Sequence, residues 1–281
     1  MKHYKAIFFD WDGTAVISRK ATVDDAVNAM RPLLDKGVKL CIVSGTTYEN
    51  IAGGKLHSYF TPKQLENLYL GLGRGAFGYG YDAAGQPTIL VDRVPDAKGI
   101  LAVHDACYRI HRELLGKYGM NTDIVFSRPN YCKIDLMPAN NRGENLFLQE
   151  GEAARLQHIL QQHGIDSIET VIAMAESFGT TEMPLRATTD AKYLEVGPTG
   201  KSDNVDALFA RFGFAAEDCC FWGDEFIGVT DSIFGSDAGM LTETTQNGDF
   251  YDVSDLEGVR PGQVKQLGGG IQTFLNFLRE Q

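Results

Sequence analysis

The stretch Ile7-Phe8-Phe9-Asp10-Trp11-Asp12-Gly13-Thr14 decides the fold. Ala6 to Phe9 is a short apolar run without polar alternation, the pattern of a strand buried on both faces of a parallel sheet. In open α/β sheets the C-terminal ends of such strands border the ligand crevice, and this run stops on two carboxylates, Asp10 and Asp12. Side chains two apart on extended backbone share a face, but the chain leaves the strand here. The expectation is one side chain and one nearby carbonyl in a common site, with the second carboxylate close by. Asp12-Gly13 is also an ordinary turn pair, and the stretch alone leaves both readings open.

Outward from this stretch the same grammar returns twice. Residues 38–43 form an apolar run that ends on Ser44-Gly45-Thr46-Thr47, with a helix expected after it. Residues 219–222 form another, ending on Gly223-Asp224-Glu225. Thr22 reads as an N-cap, followed by Asp24 and Asp25 and by Val23, Val27, Met30 and Leu34 at helical spacing up to Gly37, with Pro32 as a kink site. Thr61-Pro62 opens a short helix. Residues 203–212 and 271–278 read as helices and 238–242 as a further strand.

The middle of the chain has another texture. Residues 68–91 contain a formal GxGxxG at Gly73, Gly75 and Gly78, but the alternation that follows is that of a β-hairpin, whereas a dinucleotide fingerprint needs a helix there. After Val94-Pro95 the expected order is a helix over 97–118, strands over 123–127 and 131–137, a helix over 152–163, and strands near 170–174 and 192–196. Helix-strand-strand, twice, implies a small antiparallel sheet with helices on one face. The fold expected is therefore α/β: a doubly wound parallel-sheet core over 1–94 and 197–281, with an inserted α+β unit over 95–196.

Composition bounds the function. A chain of 281 residues, 43% hydrophobic, can bury a core for two unequal domains. Its formal charge of −11, without a Lys/Arg run, argues against a nucleic-acid backbone or an anionic membrane as partner. No apolar run approaches the length of a membrane span. Cys41, Cys107, Cys132, Cys219 and Cys220 are odd in number and scattered, which suggests a reducing compartment, and no spacing suggests zinc. A soluble cytoplasmic protein, a monomer or small homo-oligomer, is expected.

Acids gathered at one sheet edge need a counter-charge. Two carboxylates about 5 Å apart repel by roughly 3 kcal/mol at an effective dielectric of about 20. A divalent cation resolves this, and all-oxygen ligands favour Mg²⁺. A metal beside a free carboxylate, a hydroxyl and a lysine is the set needed to bind a phosphoryl group and attack it.

Four segments together resemble the haloacid dehalogenase superfamily of phosphotransferases. Asp10-Trp11-Asp12-Gly13-Thr14 is similar to its DxDGT motif, Ser44-Gly45 to its second motif, Lys201 to its third, and Gly223-Asp224 with Asp231 to its acidic fourth. The insertion between the second and third motifs resembles the family's larger, Cof-type cap, and faintly the cap of phosphomannomutases. The resemblance implies that Asp10 is a nucleophile forming an aspartyl-phosphate and that Asp12 is the proton donor and acceptor. It implies that Ser44, Gly45 and Lys201 hold phosphoryl oxygens. Asp224, the Asp10 side chain and the Asp12 carbonyl would hold Mg²⁺, with Asp231 a ligand or a neighbour of the ligands.

Two positions depart from the family pattern. Trp11 is bulkier than usual and presses either on substrate or on the sheet. Arg74-Gly75-Ala76 stands where relatives carry Asn-Gly-Ala, so Arg74 either adds charge near the site or lies on the surface. In the cap, Arg128, Asn130, Lys133 and Arg142 suit a hydroxyl-rich or anionic substrate such as a sugar phosphate, against solvation as the ordinary alternative. Gly197-Pro198-Thr199-Gly200-Lys201-Ser202 is not a Walker A loop, because Glu195 occupies the position of its first glycine. The expected function is a Mg²⁺-dependent phosphatase acting on a small phosphorylated metabolite. A phosphosugar mutase is the alternative on the same fold, and a non-catalytic metabolite sensor the alternative of another class.

Overall fold

Ala6, Ile7, Phe8 and Phe9 are fully buried because they form the strand in the middle of the larger of two sheets. The computed structural model of the chain describes residues 2–143 and 148–281. Its first part comprises β1 (Ala6–Phe9), α1 (Asp24–Asp35), β2 (Lys39–Val43), α2 (Pro62–Leu65), β3 (Leu68–Leu72), β4 (Phe77–Tyr81) and β5 (Pro87–Asp92). Next come α3 (Ala97–Tyr118), β6 (Asp123–Ser127), β7 (Cys132–Asp135), α4 (Glu152–Gln162), α5 (Ile168–Ser177), β8 (Arg186–Thr189) and β9 (Tyr193–Gly197). The chain closes with α6 (Lys201–Phe212), β10 (Cys219–Gly223), β11 (Asp249–Asp252), β12 (Val264–Gln266) and α7 (Gly270–Glu280).

The larger sheet has the order β12-β11-β10-β1-β2-β3-β4-β5, parallel through β3, with the hairpin β4-β5 antiparallel at one edge. Alternation along β1 splits its side chains between two cores. Ile7 and Phe9 pack with α1 and α7, while Ala6 and Phe8 pack with α6. Rings run across the second face, Phe8 to Phe221 at 4.9 Å and Phe221 to Phe250 at 4.4 Å between centroids. The smaller sheet, β6-β7-β9-β8, is antiparallel and shares a third core with α3, α4 and α5. This is an α/β doubly wound core with an inserted α+β cap. Among the described residues no helix is long and apolar enough to cross a membrane.

Several local expectations change. The N-cap of α1 is Val23 rather than Thr22, without a side-chain cap, so Asp24 and Asp25 supply the negative charge that a helix N-terminus favours. The chain after Ser44 makes three short 3₁₀ turns between Tyr48 and Tyr59 in place of an α-helix, and Gly53 and Gly54 break it with positive φ. Residues 170–174 lie inside α5: Ile168, Val171, Ile172 and Ala175 are buried at helical spacing, which overrides the strand propensity of the β-branched pair. The place expected for them in the small sheet is taken by the polar β8, which pairs with β9. Residues 238–242 belong mostly to the 3₁₀ turn Ser236–Met240, and the sheet is extended by β11 and β12. Thr61 caps α2 with Gln64 in a reciprocal capping box, as the Thr-Pro signal predicts.

Candidate active site

The chain leaves β1 at Asp10, whose N–H still donates to the Trp222 carbonyl at 3.0 Å and so holds the residue at the sheet edge. Gly13 then turns with φ 88°, and any Cβ there would run into the Asp224 carboxylate. Glycine is required on both counts. Thr14 donates its hydroxyl to Asp224 Oδ1 at 2.9 Å, which orients the carboxylate toward the first loop. The three strand ends predicted to meet do meet.

Asp237 is the organiser that the sequence reading did not single out. It is fully buried, and its Oδ2 accepts the N–H groups of Asp224 and Glu225 at 3.0 and 2.8 Å. Its Oδ1 accepts Lys201 Nζ at 2.6 Å, and the same ammonium lies 3.3 Å from Asp10 Oδ1. Asp10, Asp224 and Asp237 can each bring one carboxylate oxygen within 4.8 Å of the others. Asp231, expected from the fourth motif, does not join them. The chain makes an excursion between Gly228 and Phe234, which bridge to each other, and Asp231 sits exposed near its tip.

The electrostatics follow from one ammonium facing several buried acids. Burial pushes the Asp10 carboxyl up to about 6, with Asp237 and Asp12 adding to the rise and Lys201 and Ser44 opposing it. Burial also raises Asp224 well above the carboxylate range, helped by Asp237, Glu225 and Asp10. For Lys201 burial works toward neutrality, but Asp10 and Asp237 outweigh it and the ammonium is held charged. Burial raises Asp12 against the pull of Arg19, whose guanidinium lies 3.5 Å away. An all-carboxylate oxygen set of this kind fits a hard divalent cation. One sign of that fit is that Asp10 Oδ1 is buried and, although near Lys201, makes no hydrogen bond.

Asp10, Asp12, Ser44, Gly45 and Lys201 line one cavity of about 430 Å³. Thr46 lines it as well, with a buried hydroxyl that has no hydrogen-bond partner. Trp11 is buried in the core shared with α1 and α7, so it presses on the sheet side.

The cap candidates separate by what already holds them. Asn130 donates to the Gly73 carbonyl at 2.7 Å, and Arg142 is clamped between Glu152 and Asp190. Neither lines the cavity. Lys133 lines it and pairs with Glu195 at 3.1 Å, and Arg128 lines it too. Arg74 is 4% exposed, so it is not a surface residue. It reaches into the base of the cap, donating to the Thr199 carbonyl at 2.6 Å and to Thr188 Oγ1 at 3.2 Å, and it approaches Glu195 at 3.5 Å. Arg74→Met is therefore expected to lower unfolding free energy by about 3 kcal/mol, because it strands buried acceptors and part of the charge on Glu195. Denaturant unfolding measures this, and a loss below about 1 kcal/mol would contradict it.

Core, cap and edge constellation together define the haloacid dehalogenase fold in its capped form. Solved structures of the same fold include the C-terminally truncated IMP-nucleotidase of Plasmodium falciparum, at TM-score 0.55 and 13% identity over 79% of this chain and 62% of that one. An IMP-bound mutant of that nucleotidase matches at TM-score 0.61 and 14% identity over 99% of this chain and 66% of that one. The sucrose-phosphatase of Synechocystis sp., in complex with sucrose and phosphate, matches at TM-score 0.57 and 12% identity over 99% of this chain and 98% of that one. The chain thus spans less than two thirds of the nucleotidase chains but nearly all of the sucrose-phosphatase. No family model and no curated protein matches the sequence.

Proposed function

We propose that this protein is a Mg²⁺-dependent phosphoric monoester hydrolase acting on a small phosphorylated metabolite, with sugar phosphates as the favoured class. The observation that carries the reading is Asp10 and Asp12 in one cavity, with Lys201 Nζ 3.3 Å from Asp10 Oδ1 and the acids Asp224 and Asp237 beside it. That is a nucleophile, a proton carrier and a fixed positive charge around one space.

Asp10 attacks the phosphorus of the bound ester, and the P–O bond to the leaving alcohol breaks as Asp12 gives that oxygen a proton. Burial favours the protonated form of Asp12, which suits it to begin as the acid. In the second half Asp12, now a carboxylate, takes a proton from water, the water oxygen attacks the aspartyl-phosphate, and Asp10 departs as inorganic phosphate forms. The Ser44 hydroxyl, the Gly45 N–H, the unpartnered Thr46 hydroxyl and Lys201 hold the non-reacting oxygens. Asp10, Asp224 and Asp237, with the Asp12 carbonyl, would hold the metal. When bound, Mg²⁺ supplies positive charge that neutralises the cluster and the phosphoryl oxygens.

The likeness to the sucrose-phosphatase over nearly the whole of both chains supports a sugar phosphate, as do Thr188, Thr189 and Tyr193 in the cavity wall. Five free, buried cysteines fit a reducing compartment, and we assign the protein to the cytoplasm. The test is phosphate release with Mg²⁺ from a panel of sugar phosphates, nucleoside monophosphates and para-nitrophenyl phosphate. Release is expected. No release from any ester sinks the hydrolase reading, and isomerisation that requires a bisphosphate establishes a mutase instead.

A further inference from the structure

The cations that wall the cavity are not equivalent. Arg74 and Lys133 are drawn to Glu195, Arg186 is paired with Asp203, Lys201 serves Asp10 and Asp237, and Arg19 approaches Asp12. Among the described residues lining the cavity, Arg128 is the cation with no carboxylate partner. It is held by aromatic rings instead: its guanidinium carbon lies 4.7 Å from the centroid of Phe126 and 5.7 Å from that of Tyr131. Those two rings meet edge to face at 5.4 Å, so the platform is itself packed. Stacking occupies the face of a guanidinium and leaves its N–H edge for a planar or tetrahedral anion, and it lowers the entropy lost when that anion is bound. The phosphoryl group to be transferred is already provided for at Asp10, where Lys201, Ser44 and the acid cluster converge. A second, pre-set positive charge in the same cavity has no carboxylate partner among the described residues.

We propose that Arg128 binds a second anionic group on the leaving-group side of the substrate, which makes the substrate class phosphate esters that carry a further anionic group: bisphosphates or phosphorylated carboxylates. This rests on the phosphatase reading of the cavity, and the experiment separates the two. Calorimetric binding with Mg²⁺ is measured on Asp10→Asn and on Asp10→Asn/Arg128→Met, so that turnover plays no part. The probes are two matched pairs: fructose 1,6-bisphosphate against fructose 6-phosphate, and 3-phosphoglycerate against glycerol 3-phosphate. The member with two anionic groups in at least one pair is expected to bind about tenfold or more tightly, with Arg128→Met reducing the difference to about twofold and leaving the other member unchanged. The pair that responds identifies the second anion as phosphate or carboxylate. Equal affinities within both pairs, or equal weakening of both members by Arg128→Met, overturns the proposal. Arg128→Lys, which keeps the charge and loses the planar fork, is expected to fall between and guards against a folding artefact. If the preference holds while wild-type protein with Mg²⁺ releases no phosphate from any of the four probes or from the ester panel, the anion site stands and the hydrolase reading falls.

Discussion

Asp10→Asn is expected to lower phosphate release from para-nitrophenyl phosphate by about 10⁴-fold or more, because an amide cannot serve as the attacking carboxylate. The same change should make the metal-free protein more stable at pH 7. Asp10 titrates near 6 in the folded chain against 3.8 for a free aspartate, so its surroundings disfavour the ionised form. Near-neutral pH enforces that ionised form, and the cost is about 3 kcal/mol by the usual conversion of pKa differences. An isosteric neutral group removes the cost while keeping the packing, and the melting temperature in chelator should rise by a few degrees. Activity lost together with stability gained is the signature of a functional charge held at the expense of the fold. Retained turnover would dismiss Asp10 as nucleophile. Lost turnover with a lowered melting temperature would point to disruption of the site instead.

The reach of the sequence follows the range of the interactions involved. Asp10, Ser44 and Asp224 each stand directly after a buried parallel strand, with Asp12 two residues beyond Asp10, and strand ends are local features that the apolar runs announce. The structure brings them to one edge because β10, β1 and β2 are neighbours in register. Asp237 was out of reach for the opposite reason. Its place depends on how far the 228–234 excursion carries the chain before Oδ2 returns to the N–H groups of Asp224 and Glu225. Asp231, nearer in sequence to the strand end, is left at the tip. Arg142 and Asn130 show a second limit. Their side chains look like substrate donors on a polar hairpin, but Glu152, Asp190 and the Gly73 carbonyl consume them, and partners 10 to 57 residues away leave no local pattern. Short polar strands such as β8 and β12 are legible only through their neighbours, since edge strands need little apolar alternation. Arg19 carried no signal at all. It is one basic residue in the loop after Gly13, and only the fold sets it 3.5 Å from Asp12.

Removal of the divalent cation is expected to abolish turnover and to give the protein an inverted pH dependence of stability. Asp10 at about 6 and Glu225 at about 7 keep their protons in the folded chain at pH values where the unfolded chain, near 3.8 and 4.5, has lost them. Folding in that window takes up protons, so stability falls as pH rises from about 4 to about 7, and the contribution is constant below it. Lys201 stays protonated throughout and adds no slope. Carboxylates with lowered values, such as Glu169 at about 2, act the other way, but chiefly below the window. A divalent cation held by this cluster as proposed would select its deprotonated form, so its stabilising effect is expected to grow over the same range. Melting temperatures with EDTA and with excess Mg²⁺, measured from pH 4.5 to 7.5, should diverge with rising pH. If the two curves run parallel, the acids at the sheet edge are not the metal site, and the charge on Lys201 alone would have to account for holding three carboxylates together.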